Sequence, residues 1–220
     1  MNKRLLLWGG LVAVVVLTII VIMQMASDDT TEAPQPPDQA SVSEEQRQIL
    51  EINSDDWVKG NPDADVVIVK YSDFQCPACR TSAQMDAQVE DELSDEVAFV
   101  YRHFPLQSFD YSRLAAQYAE AAGKQDEFWR MHNLIFINQQ QWSRGDAESV
   151  FRDMAESMEL DMDQFEQDLE SSEVEERIDE HYNSGRQLGV QSVPTLYING
   201  SQVQLPQSPE EYVELIRRYM

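Results

Sequence analysis

The longest apolar stretch of the chain lies at its start. Residues 5–25 run without a charge, and about 20 apolar residues suffice to cross the hydrocarbon core of a bilayer. Lys3 and Arg4 precede the run, and Asp28, Asp29 and Glu32 follow it. The positive-inside rule therefore places residues 1–4 in the cytoplasm and everything after the span outside. A signal peptide cleaved after Ala26 is the competing reading. The length of the run, and Gln24 two positions before Ala26, favour an uncleaved transmembrane helix over residues 5–25. Under either reading the rest of the chain is exported. Residues 26–45 hold Pro34, Pro36 and Pro37 among polar and acidic residues, a composition that predicts a semi-extended, flexible linker. Ser43, with Gln46 three positions on, offers a capping-box start for a short helix carrying Ile49 and Leu50.

Beyond the linker the spacing of apolar positions changes twice. Residues 66–71 (VVIVKY) and 97–104 (VAFVYRHF) are almost continuously apolar and rich in β-branched side chains, as strands covered on both faces are. Between them, Pro77 suits the first position of a helix reaching about residue 93. Strand, helix and strand in that order imply a parallel pair with a right-handed crossover. From residue 112 to 189 the apolar residues recur at helical spacing. Leu114, Tyr118 and Ala121 mark one helix, Val150, Met154 and Ala155 a second, Phe165 and Leu169 a third, and Val174, Ile178, Tyr182, Gly185 and Leu188 a fourth. Residues 195–198 and 202–205, joined across Asn199-Gly200, read as a hairpin with a type I′ turn. Ser208 and Pro209 then open a last helix whose Tyr212, Leu215 and Ile216 face inward. The expected fold class is α/β. A mixed sheet flanked by helices occupies residues 46–220, with a helical domain inserted at about 110–189 and one N-terminal transmembrane helix ahead of it.

Charge narrows the partners. Lys and Arg number 16 against 40 Asp and Glu, a formal net charge of −24. Such a surface repels nucleic acid and anionic headgroups, so no nucleic-acid partner is expected. Aromatic and branched apolar residues recur after residue 45, so the acidity describes a solvated exterior rather than a disordered chain. No dimerisation segment is evident, and a monomer is expected.

The chain has two cysteines, Cys76 and Cys79, separated by Pro77 and Ala78 at a predicted helix start. A structural bridge, a metal site and a redox pair are the competing uses. Closing so short a loop removes little chain entropy, which disfavours the first. Zinc normally takes three or four protein ligands, and the nitrogen ligands available, His103, His132 and His181, stand at no zinc-motif spacing. No metal and no cofactor other than the disulfide itself are expected. Redox use fits the position best, because unpaired N–H groups and the dipole of a helix N-terminus stabilise a thiolate. Cys76 is then the attacking thiol. Cys79, one turn on and more buried, resolves the mixed disulfide. The spacing alone leaves the three uses open.

Four motifs in order carry more: YSDFQCPAC at residues 71–79, YRHFPL at 101–106, FWRMH at 128–132 and VQSVPT at 190–195. Together they resemble the DsbA-like proteins of the thioredoxin superfamily, in particular their membrane-anchored, BdbD-like bacterial branch, from about residue 50 to the C-terminus. The resemblance implies a thioredoxin-like fold and a protein disulfide oxidoreductase that uses a Cys76–Cys79 disulfide. It also implies a cis Val193–Pro194 bond, with Val193, Pro194 and Thr195 forming, beside Pro77 and Ala78, the loop that meets substrate. Substrates would be thiols of exported proteins. A membrane oxidant of the DsbB or vitamin K epoxide reductase-like type would reoxidise the pair, on the extracytoplasmic side of a bacterial cell membrane crossed once. A trans Pro194 that merely begins a strand is the plain alternative.

Two departures from the family pattern bear on the direction of electron flow. Many relatives carry His where this chain has Ala78, and many carry Glu six residues before the first cysteine, where it has Lys70. Lys70 either favours the Cys76 thiolate and so a more oxidising disulfide, disrupts a proton relay to Cys79, or points away altogether. Asp73 is either an acid–base helper or a loop residue bonding nearby backbone, and the second suits Asp in a turn. His103 reads as structural, His132 and His181 as packing or surface residues, and Phe128, Trp129 and Phe136 as helical core. The expected activity is disulfide introduction. A reductase or isomerase of the same fold, and a non-catalytic binding or chaperone module, are its rivals.

Overall fold

The structure, a computed structural model, describes residues 43–220. The expected cytoplasmic residues, transmembrane segment and most of the linker fall outside the described residues. Among the described residues no helix is long and apolar enough to cross a membrane.

The first element, α1 (Glu44–Ile49), carries the expected capping box: Ser43 Oγ accepts from the Gln46 N–H, and the Gln46 side chain accepts from the Ser43 N–H. The crossover unit is β2 (Val66–Ser72), α2 (Pro77–Leu93) and β3 (Val97–His103), with β2 and β3 parallel and Val66 opposite Val97. Ahead of it, β1 (Trp57–Gly60) pairs antiparallel with β3, an edge strand that periodicity did not predict. Gly60 ends it at φ +85°, where a Cβ would come within 2.4 Å of the Val97 carbonyl oxygen, so only glycine fits.

Between β3 and the closing hairpin come six helices. They are α3 (Ser112–Gly123), α4 (Phe128–Ile137), α5 (Gln139–Trp142), α6 (Ala147–Ser157), α7 (Met162–Leu169) and α8 (Ser172–Gln187). Asp146, Asp161 and Ser171 cap α6, α7 and α8 by accepting from the N–H three positions on, so part of the acidic composition serves helix starts. The hairpin is β4 (Thr195–Ile198) and β5 (Ser201–Val203), turned by Asn199 (φ 47°) and Gly200 (φ 79°) as a type I′ turn demands. Its second arm starts at Ser201, one residue earlier than alternation suggested, because pairing resumes directly after the two-residue turn. The last helix, α9 (Pro209–Arg217), is capped by Ser208. Strand order is β1-β3-β2-β4-β5, with β4 antiparallel to β2.

Both faces of the central strands are covered, which is why their sequences are apolar without a break. On one face Val66, Ile68, Val97, Phe99, Leu196 and Ile198 pack against Met85, Val89 and Leu93 of α2 and Tyr212, Val213 and Ile216 of α9. On the other, Val69, Tyr71, Val100 and Tyr197 meet Leu50, Phe104, Leu188 and Val190. A third core lies in the helical insertion around Tyr118, Phe128, Met131, Ile135, Trp142 and Phe151, and it is continuous with Phe74, Tyr101 and both cysteines. The expected aromatic core is therefore real, and it backs the CxxC turn.

Candidate active site

The two cysteines sit where β2 hands over to α2. Cys76 is the N-cap residue, extended at φ −72° and ψ 122°, and its side chain caps nothing in the backbone. Pro77 follows at the first helical position, where the missing N–H costs nothing. The first-turn N–H groups are thereby left to a thiolate. Both cysteines are free thiols, with Cys76 7% and Cys79 1% exposed. The Cys76 thiol is lowered to about 6, chiefly by the hydrogen bond from the Cys79 thiol, with the Cys79 and Ala78 N–H groups assisting and burial opposing. Burial, and then the neighbouring Cys76, push the Cys79 thiol up. At neutral pH one sulfur is a thiolate at the helix start and the other a more deeply buried thiol, the division of labour that disulfide exchange needs.

This division has a spectroscopic consequence. Because the folded-state value of Cys76 is depressed, its thiolate stabilises the reduced form fully above the ordinary thiol range, and that stabilisation is lost as pH falls through about 6. Ultraviolet thiolate absorbance of the reduced protein should show one transition centred near pH 6, absent in Cys76→Ser. A transition no lower than that of a free thiol would remove the thiolate stabilisation described above.

The loop before β4 closes the site. The Val193–Pro194 peptide is cis, and the Val193 carbonyl oxygen lies 3.6 Å from Cys76 Sγ. Thr195 is buried, pairs opposite Tyr71, and donates its hydroxyl to the Ser192 carbonyl at 2.7 Å. Pro77 and Ala78 are exposed beside it. Ala78 has no polar atom in its side chain, so donors to the thiolate come from the backbone and from Cys79.

Asp73 is 2% exposed. Its carboxylate accepts from the Gln75 and Leu106 N–H groups at 2.7 Å each and from Ser112 Oγ at 2.7 and 2.8 Å. Burial raises its pKa, the hydrogen bonds opposing. The arrangement is that of a loop organiser tying the turn to α3. Lys70 is buried too. Its Nζ donates to Ser82 Oγ at 2.7 Å and forms an ion pair with Asp86, both on α2. Its charge is therefore neutralised behind the helix instead of being directed at Cys76. Beside it a cavity of about 20 Å³, lined by Lys70, Asp86, Tyr101 and His132 among others, is large enough for one water.

The histidines are buried and engaged. His103 Nε2 bonds Glu120 Oε1 at 2.7 Å, and the same oxygen accepts from Trp57 Nε1 at 2.9 Å. Arg177 Nε stands 3.6 Å from the other Glu120 oxygen, and His181 Nδ1 accepts from the His103 N–H at 3.4 Å. His103, Glu120 and His181 offer ligand atoms within 4.8 Å of one another, but Glu120 is already shared among an indole, an imidazole and a guanidinium. Burial holds His132 down to about 3, between the rings of Phe74, Tyr101 and Phe136.

Two glutamines belong to the site that sequence reasoning passed over. Gln75 Oε1 accepts from the Tyr111 N–H at 2.7 Å. Gln139 Nε2 donates to the carbonyls of Phe74 at 2.7 Å and Cys76 at 2.9 Å. Gln75 stood beside the cysteine in the YSDFQC motif and could have been found there. Gln139 is one of three consecutive glutamines, and only the fold distinguishes it.

The family model described as Thioredoxin matches residues 53–218. A Na(+)/H(+) antiporter NhaA 1 of Salinispora arenicola is 35% identical over 148 residues, which is 66% of this chain and 22% of that protein. The chain thus spans less than a quarter of the antiporter's length. A probable disulfide bond formation protein D of Bacillus cereus is 32% identical over 153 residues, covering 64% of this chain and 69% of that protein. Among solved structures, a thioredoxin-like oxidoreductase from Silicibacter pomeroyi superposes with a TM-score of 0.66 at 25% identity, covering 78% of this chain and 96% of that one.

Proposed function

The chain belongs to the thioredoxin family, among its DsbA-like thiol-disulfide oxidoreductases, and from that premise we propose that it introduces disulfides into exported proteins through Cys76 and Cys79. The observation that carries the proposal is the geometry of the pair: Cys76 stands at the N-cap of α2 with its sulfur 3.6 Å from the Val193 carbonyl oxygen, and Cys79 lies one turn on at 1% exposure. In the reaction a substrate thiolate attacks Cys76 Sγ of the oxidised pair. The Cys76–Cys79 bond breaks, and Cys79 leaves with the electron pair and takes up a proton. A second substrate thiolate then attacks the substrate sulfur of the mixed disulfide, forming the substrate disulfide and releasing Cys76 as a thiolate. Two electrons have passed to the enzyme. A low-pKa leaving sulfur favours this second step and stabilises the reduced enzyme. Val193 and Pro194, with Pro77 and Ala78, form the surface that meets the substrate backbone, and the buried Thr195 supports that loop through its bond to the Ser192 carbonyl. A membrane oxidant of the DsbB or vitamin K epoxide reductase-like type removes the two electrons. Residues 5–25 anchor the monomer, residues 26–45 tether it, and residues 46–220 work on the extracytoplasmic side. No metal takes part, and Lys70 and Asp73 act only through the structure around the pair.

A reductase or isomerase of the same fold is the rival, because Ala78 supplies no side-chain donor and Lys70 is neutralised by Asp86. Equilibration in glutathione buffers separates the two. An oxidase is expected to lie well above the roughly −270 mV of thioredoxin, toward the roughly −120 mV of a strong oxidant. A value at the thioredoxin level would replace the proposal with the reductase reading.

A further inference from the structure

One side-chain amide, coming from the helical insertion, grips the backbone on either side of the first cysteine. Gln139 is 4% exposed, and its Nε2 donates to the carbonyls at Phe74 and Cys76. Turning the amide over would set its oxygen against two carbonyl oxygens, so its orientation is fixed. The Cys76 carbonyl also accepts the first helical bond, from the Arg80 N–H at 3.2 Å. Gln139 itself has a rigid support. It opens α5, whose Trp142 is fully buried and donates its indole N–H to the Ile135 carbonyl at 2.7 Å.

Holding the Cys76 carbonyl holds ψ of Cys76, here 122°. That angle decides where everything after the Cys76 carbonyl carbon lies relative to Sγ, including the Ala78 and Cys79 N–H groups that stabilise the thiolate. In the disulfide form the covalent ring between residues 76 and 79 restrains the same angle without help. In the reduced form no covalent bond does so. We propose that Gln139 is a positioning residue for the Cys76 thiolate, acting through the Cys76 backbone more strongly on the reduced than on the oxidised enzyme and so raising the oxidising strength of the pair. This rests on the reading of Cys76 and Cys79 as the exchanging pair.

The test compares wild type with Gln139→Met, which keeps length and loses both donors, and with Gln139→Asn, whose amide is too short to reach both carbonyls. Each full-length protein is titrated for thiolate absorbance and equilibrated in glutathione buffers, and the thermal midpoints of its two redox forms are measured. Gln139→Met is expected to raise the Cys76 midpoint by about one pH unit and to shift the glutathione equilibrium toward the disulfide form by about fivefold at pH 7, approaching tenfold above pH 8. The reduced form should lose more thermal stability than the oxidised form, and Gln139→Asn should move all three readouts the same way by less. Equal losses in both redox forms, or an unmoved thiolate midpoint and glutathione equilibrium in either folded variant, would overturn the proposal in favour of a merely structural amide. The titration reads Cys76 ionisation whether or not the pair exchanges with protein thiols, so it decides this inference separately from the oxidase reading.

Discussion

Replacing Cys76 by Ser should abolish thiol–disulfide exchange, whereas replacing Cys79 by Ser should leave a protein that attacks and cannot let go. The two outcomes follow from the different surroundings of the sulfurs. Cys76 is the one with a lowered pKa, is less buried than Cys79 and adjoins the exposed Pro77 and Ala78, so its loss removes the reacting atom. A serine hydroxyl in its place is not ionised at neutral pH and cannot form a disulfide. Cys79, at 1% exposure, reaches a partner only by attacking a disulfide already formed on Cys76. Without it, the Cys76 thiolate attacks a small disulfide such as oxidised glutathione, releases the other half as a thiolate, and the resulting mixed disulfide should accumulate to about one per chain, visible by mass under non-reducing conditions. A comparison of Cys79→Ser with Cys79→Ala sharpens the point. The hydrogen bond from Cys79 is the largest contributor to the low Cys76 value, and Ser retains a donor while Ala does not. The Cys76 thiolate transition should therefore lie higher in Cys79→Ala than in Cys79→Ser. Exchange at the wild-type rate in Cys76→Ser would sink the assignment of roles.

The parts of the molecule legible in the sequence are those where local and tertiary demands coincide. Strands β2 and β3 are covered on both faces and so are apolar throughout; the capping box at Ser43 and the Asn199-Gly200 turn depend on a few adjacent residues. The position of Cys76 followed from Pro77 after a strand. Strand β1 escaped because its four residues, WVKG, have no period of their own. They are extended because β3 offers an open edge about forty residues away. Lys70 posed a different difficulty. In a strand buried on both sides, alternation assigns no polar face, and only the fold showed that its ammonium meets Asp86 and Ser82 of α2. Gln139 lay in a run of three glutamines, two of them on the surface. What selects it is its distance to two carbonyls more than sixty residues earlier, a relation that no spacing rule contains.

The second large effect is expected far from the sulfurs, at Arg102. This guanidinium, 1% exposed, donates to both oxygens of Asp56 at 2.8 Å, to the Ile49 carbonyl at 2.6 Å, to the Glu51 carbonyl at 3.0 Å and to Tyr71 Oη at 3.1 Å. Burial acts against its charge, but Asp56 outweighs it and the pKa is raised. The residue thus fastens the segment from α1 to β1 onto the sheet. Arg102→Met would leave the fully buried Asp56 carboxylate and two carbonyls without this partner. Breaking a buried pair from one side costs about 3–5 kcal/mol, whereas replacing both members by apolar residues is often close to neutral. Arg102→Met should therefore lower the urea midpoint sharply, and Arg102→Met with Asp56→Leu should recover much of the loss. An unchanged midpoint in the single variant would mean that the ion pair does not secure this segment. Arg102 touches neither sulfur, so both redox forms should lose stability alike and the glutathione equilibrium should stay within about twofold of wild type. That pattern, a large stability loss with an unmoved equilibrium, is the reverse of the one expected for Gln139. The pair of variants separates what holds the fold together from what tunes the thiolate.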